Sequence, residues 1–297
     1  MSRTIAVLGA TGRVGHVVAD QLLNAGHRVR AVGRNLDRLQ ALAGRGAEPC
    51  AGELSDPKFL SLALRHTDGV FVMLPPDVSA PDPAALHRGQ TEAIAAALQV
   101  SRVTRVVTLS SVGAERPDRN GPIGDLHQLE RRINAVPGVA AMHLRAGYFL
   151  ENWLANIPLI RGAGINGGGL APDLPMAMIA SRDIGVVAAG LLVTDFTGQR
   201  TRELQGARTY TAREVTSILG ASIGKPDLAY VQFPEPDLRG AFLGAGFSPA
   251  MADRYLEMLR GFNEGAIKNL ESRSPATTTP TTAEEFARTV FLPAYSA

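Results

Sequence analysis

Residues 3–16 read RTIAVLGATGRVGH. An apolar run, Ile5 to Leu8, meets a turn that carries Gly9, Gly12 and Gly15. A helical pattern follows at once in Val14, Val17, Val18 and Leu22, with Gly26 just past its end. Strand, glycine turn and helix together form a cradle for a dinucleotide pyrophosphate. The glycines let the backbone come close to the phosphates, and the helix N-terminus offers free N–H groups and a partial positive charge. Spacing alone is weak, because 31 glycines in 297 residues produce a G-x-x-G-x-x-G match about 0.3 times by chance. Context decides. Gly162, Gly164 and Gly167 give a literal G-x-G-x-x-G, but Pro158 precedes them and Gly168, Gly169 and Pro172 follow. No helix opens there, so that stretch reads as a loop.

Working outward, HRVRAVGR alternates and reads as a second strand ending at Arg34. Leu36, Leu39 and Leu42 start a helix that stops at Gly44–Gly46, and Ala47 to Ala51 is a short third strand. Ser55 and Asp56 cap a helix beginning at Pro57. Gly69 to Leu74 is an apolar run of strand length broken by Pro75–Pro76. A helix over Ala84–Val100, a strand over Thr104–Ser110, a helix over Asp125–Ala135 and a strand over Val139–Arg145 complete the series. Strands that are apolar throughout and alternate with helices specify an α/β fold, a Rossmann-type doubly wound parallel sheet with helices on both faces. Such a sheet binds its ligand beyond the carboxyl ends of the strands. The residues that follow each strand are therefore the ones to examine.

Beyond Tyr148 the alternation ends. A short helix over Leu150–Ile160, a returning helix over Asp183–Leu192 and an added strand over Thr201–Leu204 are expected. After them come a helix capped by Thr211, a strand over Leu228–Phe233 and a helix over Pro249–Glu264. SPATTTPTT, Ser274 to Thr282, reads as an exposed low-complexity linker, and Thr282 with Glu285 as a capping box for a last short helix. The expected organisation is a nucleotide-binding unit over 1–150, joined by a returning segment near 180–205. A smaller mixed α+β unit over 151–297 covers the mouth of the sheet.

Composition narrows the function. Hydrophobic residues make up 45% of the chain and the net charge is +2, with acids and bases mixed along it. No long basic run points to nucleic acid; Arg102, Arg105, Arg131 and Arg132 read as solvated faces. The single cysteine, Cys50, excludes an internal disulfide and reads as a small buried apolar residue, which fits a reducing compartment. No basic segment with a long apolar core stands at the N-terminus and no apolar run reaches membrane-spanning length. A cytoplasmic protein with no membrane partner is expected; the sequence leaves its oligomeric state open.

The end of the second strand selects the cofactor. An NAD site carries Asp or Glu there for the ribose hydroxyls; this chain has Gly33–Arg34–Asn35. An acid would repel a 2′-phosphate, whereas an arginine grips it with charge-assisted hydrogen bonds. At roughly 1.5–3 kcal/mol each, one good pair favours NADP over NAD by about a hundredfold. Arg13, inside the glycine turn, can reach the same phosphate. NADP(H) is the expected cofactor.

At this point the chain resembles the NmrA-like family of atypical short-chain dehydrogenases, which includes NADPH-dependent quinone reductases and nitrogen-metabolite regulators. More distantly it is similar to isoflavone reductases. VLGATGRVG near the start, Arg34, GELSDP (Gly52 to Pro57) and TLSSVGA (Thr108 to Ala114) carry the resemblance. So do HLRAGYFLEN (His143 to Asn152), RDIG (Arg182 to Gly185) and YTAREV (Tyr210 to Val215). Each stretch is weak alone; in this order they are fairly specific. The resemblance implies that Gly9, Thr11, Gly12, Arg13 and Val14 line the pyrophosphate, that Leu54 lies against the adenine, and that Leu74 and Pro75 sit by the nicotinamide ribose. It places Arg145 to Asn152 around the nicotinamide and substrate. Ser110, from its position at the end of the fifth strand, is expected to contact the cofactor. The resemblance does not by itself imply turnover, because the family contains enzymes and cofactor-sensing regulators.

Ordinary short-chain dehydrogenases pair a serine with Tyr-x-x-x-Lys. Ser110 and Ser111 end the fifth strand, but between Ser111 and Tyr148 there is neither tyrosine nor lysine, and the whole chain has only Lys58, Lys225 and Lys268. The proton donors left are His127, in the helix after the fifth strand, and Tyr148, after the sixth. Trp153 reads as core. So sparse a site suits an already electrophilic acceptor, a quinone or an activated carbonyl or enone. The competing expectation is a non-catalytic NADP(H) sensor read by a protein partner. Direct DNA binding has no recognition-helix pattern behind it.

Overall fold

The computed structural model describes residues 2–297. The first half follows the expected alternation. In order come β1 (Thr4–Leu8), α1 (Arg13–Asn24), β2 (Arg28–Gly33), α2 (Leu36–Ala43), β3 (Glu48–Ala51) and α3 (Pro57–Ala63). Then come β4 (Gly69–Val72), α4 (Pro83–Ser101), β5 (Arg105–Ser111), α5 (Ile123–Asn134) and β6 (Ala140–Ala146). Local chemistry sets the boundaries. Asn35 caps α2 by accepting from Arg38 N–H, Asp56 caps α3 ahead of Pro57, and Asp82 caps α4 ahead of Pro83.

The second half adds β7 (Tyr148–Phe149), a tight helical turn (Leu150–Asn156), α6 (Ile157–Ala163), β8 (Asn166–Gly168) and β9 (Met176–Ile179). It continues with α7 (Ser181–Val193), β10 (Gln199–Leu204), β11 (Thr209–Tyr210), α8 (Ala212–Ser222) and β12 (Tyr230–Gln232). The chain ends through α9 (Glu235–Gly244), α10 (Pro249–Asn263), α11 (Ala283–Phe286) and α12 (Leu292–Ser296).

Seven strands form one sheet in the order β10-β6-β5-β4-β1-β2-β3, every pair parallel. The order reverses between β1 and β4, so the glycine turn after β1 stands at the switch point. The apolar strands are covered twice. Val14, Val18 and Leu22 of α1 and Ile184, Ala188 and Leu192 of α7 seal one face. Leu60, Ile94, Leu98, Leu129 and Ile133 of α3, α4 and α5 seal the other. The returning helix and added strand are α7 and β10, and β10 pairs in parallel with β6. A third cluster, built on Trp153, Tyr210, Leu219, Phe286 and Phe291, lies among the later elements and takes in Val112 and Ala114 from the β5–α5 connection and Ile123 from the start of α5.

Three expectations are corrected. The stretch Ser274–Thr282 is no exposed linker: Thr277, Thr279 and Thr281 are buried while Pro280 between them is exposed. Alternate burial is the period of an extended chain with one face inward. The hydroxyls that make the sequence look like a solvated tract are used internally, Thr281 donating from N–H (2.9 Å) and Oγ1 (2.7 Å) to the buried Asp183. The second glycine cluster is not one loop either. Gly162 lies within α6, Gly164 ends that helix at φ +69°, and Gly167 belongs to β8, which pairs with β12. Cys50 is half-buried rather than buried, on the edge strand β3.

Candidate functional site

The turn after β1 is held from beneath. Gly9 and Ala10 N–H both donate to Val32 O at the end of β2 (3.0 and 3.1 Å), and Gly12 N–H closes back on Gly9 O (2.9 Å). Gly9 takes φ +72°, a left-handed conformation that suits glycine. A Cβ on Gly15 would stand 2.2 Å from Gly9 O, so the helix can approach the turn only without a side chain there. The first helical bond of α1 is His16 N–H to Gly12 O, and Gly12 has no side chain to cap the helix. The amides of Arg13, Val14 and Gly15 therefore have no acceptor within the helix, which is the condition for holding an anion. Around Gly12 a Cβ would meet only Gly9 O, at 3.2 Å, and nothing else within 4 Å. The cradle fits a pyrophosphate.

Arg13 and Arg34 are both exposed and make no ion pair or side-chain hydrogen bond among the described residues. Both belong to the neighbourhood of the turn, Arg13 as the first residue of α1 and Arg34 directly after β2. Gly33 brings β2 within reach of Thr11, whose Oγ1 would lie 3.7 Å from a Cβ there. Leu54 and Leu74 are buried in the same apolar cluster, and Pro75 is half-buried beside Leu74.

The carboxyl ends of β5 and β6 hold a charged cluster. Ser110 is buried, and its hydroxyl donates to Glu130 Oε1 at 2.6 Å. Arg145 grips Glu130 with Nε (3.0 Å) and Nη2 (2.7 Å) and reaches Glu115 with Nη1 (3.4 Å). Burial would lower the Arg145 pKa, but the bonds and charge of Glu130 raise it, so the guanidinium stays charged. Ser110 and Arg145, both expected at the cofactor, are thus committed first to Glu130. Behind them His143 is buried between Thr108 Oγ1 (2.8 Å) and Asn134 Oδ1 (2.9 Å), and burial pushes its pKa down.

The two expected proton donors stand on different elements. His127, on α5, is half-buried with Nδ1 2.8 Å from Ala114 O. A carbonyl can only accept, so Nδ1 carries a proton; Nε2 donates only in the cationic form. Tyr148 lies edge-on to Trp153 and to Phe262, with ring centroids 6.3 Å apart in both cases. Burial pushes its hydroxyl up to about 12, against the lowering effect of Asn152 and with a smaller raising effect from Tyr255. Trp153 is buried, as its reading as core requires.

Sequence reasoning missed a second polar chain. His87 Nδ1 lies 2.6 Å from Asp125 Oδ2, Asp125 Oδ1 accepts from Arg254 Nη2 at 2.7 Å, and His87 Nε2 is 3.3 Å from Pro75 O. Burial would raise the Asp125 pKa, but the bonds from His87 and Arg254 hold it below the usual carboxylate value. The signal available was on α4, where His87, Gln90 and Thr91 are polar residues on the buried stripe. Two clefts, of about 330 and about 310 Å³, open elsewhere, one beside Phe233, Leu238 and Leu259 and the other beside Arg119, Glu257 and Glu264. Neither reaches the glycine turn. Among the described residues no His, Cys, Asp and Glu group could hold a metal, and no helix is long and apolar enough to cross a membrane.

The family model of the NmrA-like family matches residues 1–287. The chain is 32% identical over 262 residues to a (4-alkanoyl-5-oxo-2,5-dihydrofuran-3-yl)methyl phosphate reductase of Streptomyces griseus, covering 88% of each protein. It is 28% identical to an NAD(P)H azoreductase of Xenophilus azovorans, covering 86% of this chain and 85% of that protein. Among solved structures, a quinone oxidoreductase of Escherichia coli in complex with NADPH superposes with a TM-score of 0.80 at 24% identity. That likeness covers 97% of this chain and 99% of the other and shows the shared fold.

Proposed function

The chain belongs to the NmrA-like family, and from that premise we propose that it is an NADPH-dependent reductase of an electrophilic small molecule, a quinone or an activated carbonyl or enone. The observation that carries the cofactor is the pair Arg13 and Arg34, exposed and without an ion pair among the described residues, with Arg34 standing directly after β2 where an NAD site carries an acid. The residues over 1–150, with the segment returning near 180–205, act as the nucleotide-binding unit, and those over 151–297 supply the acceptor side. The amides at the start of α1, with Thr11, hold the pyrophosphate, while Arg34 and Arg13 take the 2′-phosphate. Leu54 supports the adenine, and Leu74 and Pro75 the ribose at the other end. The relatives, named as reductases of a furanone phosphate and of azo compounds, support the reaction class.

NADPH, when bound, supplies a hydride. The chain's own task is to exclude water, orient the acceptor and deliver at most one proton. Tyr148 keeps its proton at neutral pH and offers a hydrogen bond rather than a strong acid. Ser110 has spent its proton on Glu130, so it can accept from a ligand but cannot donate to one. Arg145 has its charge compensated by Glu130 and Glu115, and it fixes Glu130 at the strand ends. An acceptor that is electrophilic on its own matches this weak acid assistance.

The test is consumption of NADPH against quinones, short enals and a saturated ketone, with NADH in parallel. Turnover of the first two classes and not of the ketone, with NADPH preferred, supports the reading. Tight NADPH binding without turnover of any acceptor would instead favour a cofactor sensor acting through a protein partner, a reading supported by the missing lysine beside any candidate acid.

A further inference from the structure

Resting on the reading of the chain as an NADPH-dependent reductase, we propose that the α9–α10 hairpin is the acceptor-binding face. Phe242, Phe247 and Tyr255 form there an aromatic wall that selects planar conjugated acceptors over small aliphatic ones. The three rings contact one another. Phe242 stacks on Phe247 at 5.1 Å with 22° between planes, and Tyr255 meets them edge-on at 5.8 and 5.1 Å. All three remain only half-buried. Rings of this size normally disappear into a core or make an interface, and a partly exposed aromatic triad is a surface prepared for a flat apolar partner.

The hairpin is fastened to the loop that follows β4, the strand next to the glycine turn in the sheet. Ser248 N–H, between α9 and α10, donates to Val78 O at 2.8 Å. One residue before Tyr255, Arg254 holds Asp125, which holds His87, which reaches Pro75 O. Two separate tethers therefore hold the hairpin to one loop, at Val78 and at Pro75. Along α10, Tyr255 and Phe262 stand seven residues apart and so face the same way. Phe262 lies edge-on to Tyr148. Helix α10 thus carries on one face both Tyr255 of the wall and Phe262, the ring packed against Tyr148, the proposed hydrogen-bond donor. A fused or extended ring system can lie along the half-exposed Phe242, Phe247 and Tyr255; a short aliphatic enal has too little surface to use them.

Equilibrium binding of 1,4-naphthoquinone to the NADP⁺-loaded protein, read by quenching of the single tryptophan, Trp153, tests the wall directly. Phe242→Leu and Phe247→Leu keep apolar bulk and remove the ring. Each is expected to weaken naphthoquinone binding about tenfold, and to raise the KM for its reduction in step. NADPH affinity and the KM for a four-carbon enal stay within twofold, and Phe247→Tyr restores quinone binding. Wild-type protein that fails to bind naphthoquinone, Leu variants that bind it as wild type does, or an equal loss for the enal would each overturn the wall. Ring-dependent quinone binding in a protein that oxidises no NADPH would uphold the wall and refute the reductase reading.

Discussion

Replacing Arg34 by alanine isolates the 2′-phosphate from every other part of the cofactor. The side chain is exposed and has no ion pair among the described residues, so its removal leaves no buried group unsatisfied and the fold should not register it. The whole effect then falls on binding. A guanidinium on a phosphate contributes charge-assisted hydrogen bonds of about 1.5–3 kcal/mol, and exposure to solvent puts the net near the lower end. At about 1.4 kcal/mol per decade the dissociation constant for NADPH rises about tenfold to a hundredfold. NADH, which lacks the phosphate, is bound as before, so the preference between the two cofactors falls by the same factor, and what remains is the share of Arg13. Screening gives a second signature: the wild-type advantage for NADPH shrinks as salt is raised from low to physiological ionic strength, and the variant, left with Arg13 alone, shows a weaker dependence. Fluorescence titration of both cofactors at two salt concentrations, on wild type and variant alike, measures every constant needed. Equal losses for NADPH and NADH, or no loss for either, would refute the assignment of Arg34 to the 2′-phosphate.

Gly15→Ala drives a methyl to 2.2 Å from Gly9 O. It should cost about 1–3 kcal/mol in thermal unfolding and abolish NADPH binding by opening the turn. Asp125→Asn tests the polar chain through pH. The Asp125 pKa is lowered in the folded protein, so its stabilisation is present above the unfolded value near ~3.9 and is lost as pH falls through the folded value. The asparagine variant should lose about 1–3 kcal/mol at neutral pH and show a flatter fall in stability below about pH 4, as read from urea unfolding across pH. Thr281→Val removes the 2.7 Å bond to buried Asp183 and should cost about 1–3 kcal/mol by the same assay. A solvated linker residue would register within about 0.5 kcal/mol.

The sheet was legible because its signals are local. Parallel strands buried on both faces are written as apolar runs, and helix starts are written as Asn35, Asp56 and Thr211 one residue ahead of the first turn. The short strands of the second half carry no such signal. Tyr148–Phe149 and Thr209–Tyr210 are two residues each, too short for any period to show, and they exist because both pair with Met176–Ile179. The threonine strap failed for the opposite reason. Its composition is that of a solvated tract, and only the distant Asp183, 98 residues away from Thr281, makes its hydroxyls structural. The same distance hides the charged clusters. Glu130 and Asp125 sit in a helix with an ordinary polar face, and what distinguishes them is Arg145, His87 and Arg254, gathered from three other elements.

Those clusters change what the site can be asked to do. The sequence offered Ser110, Arg145, His127 and Tyr148 as loosely available groups at the strand ends. The structure has already spent three of them: Ser110 and Arg145 on Glu130, and Nδ1 of His127 on Ala114 O. Tyr148 is left with a hydroxyl that burial has pushed up to about 12. With no lysine to pull that value down, proton transfer from it in step with hydride arrival is unfavourable unless the acceptor's own oxygen becomes strongly basic. A simple ketone would form an alkoxide, which is basic enough but costs far too much to generate here. A quinone or enone spreads the incoming charge over conjugated atoms and can wait for its proton from water. On the proposed reading, reduction would therefore fall to acceptors that stabilise their own anion, and the protein would contribute less by acid catalysis than by holding a flat, conjugated molecule against the cofactor.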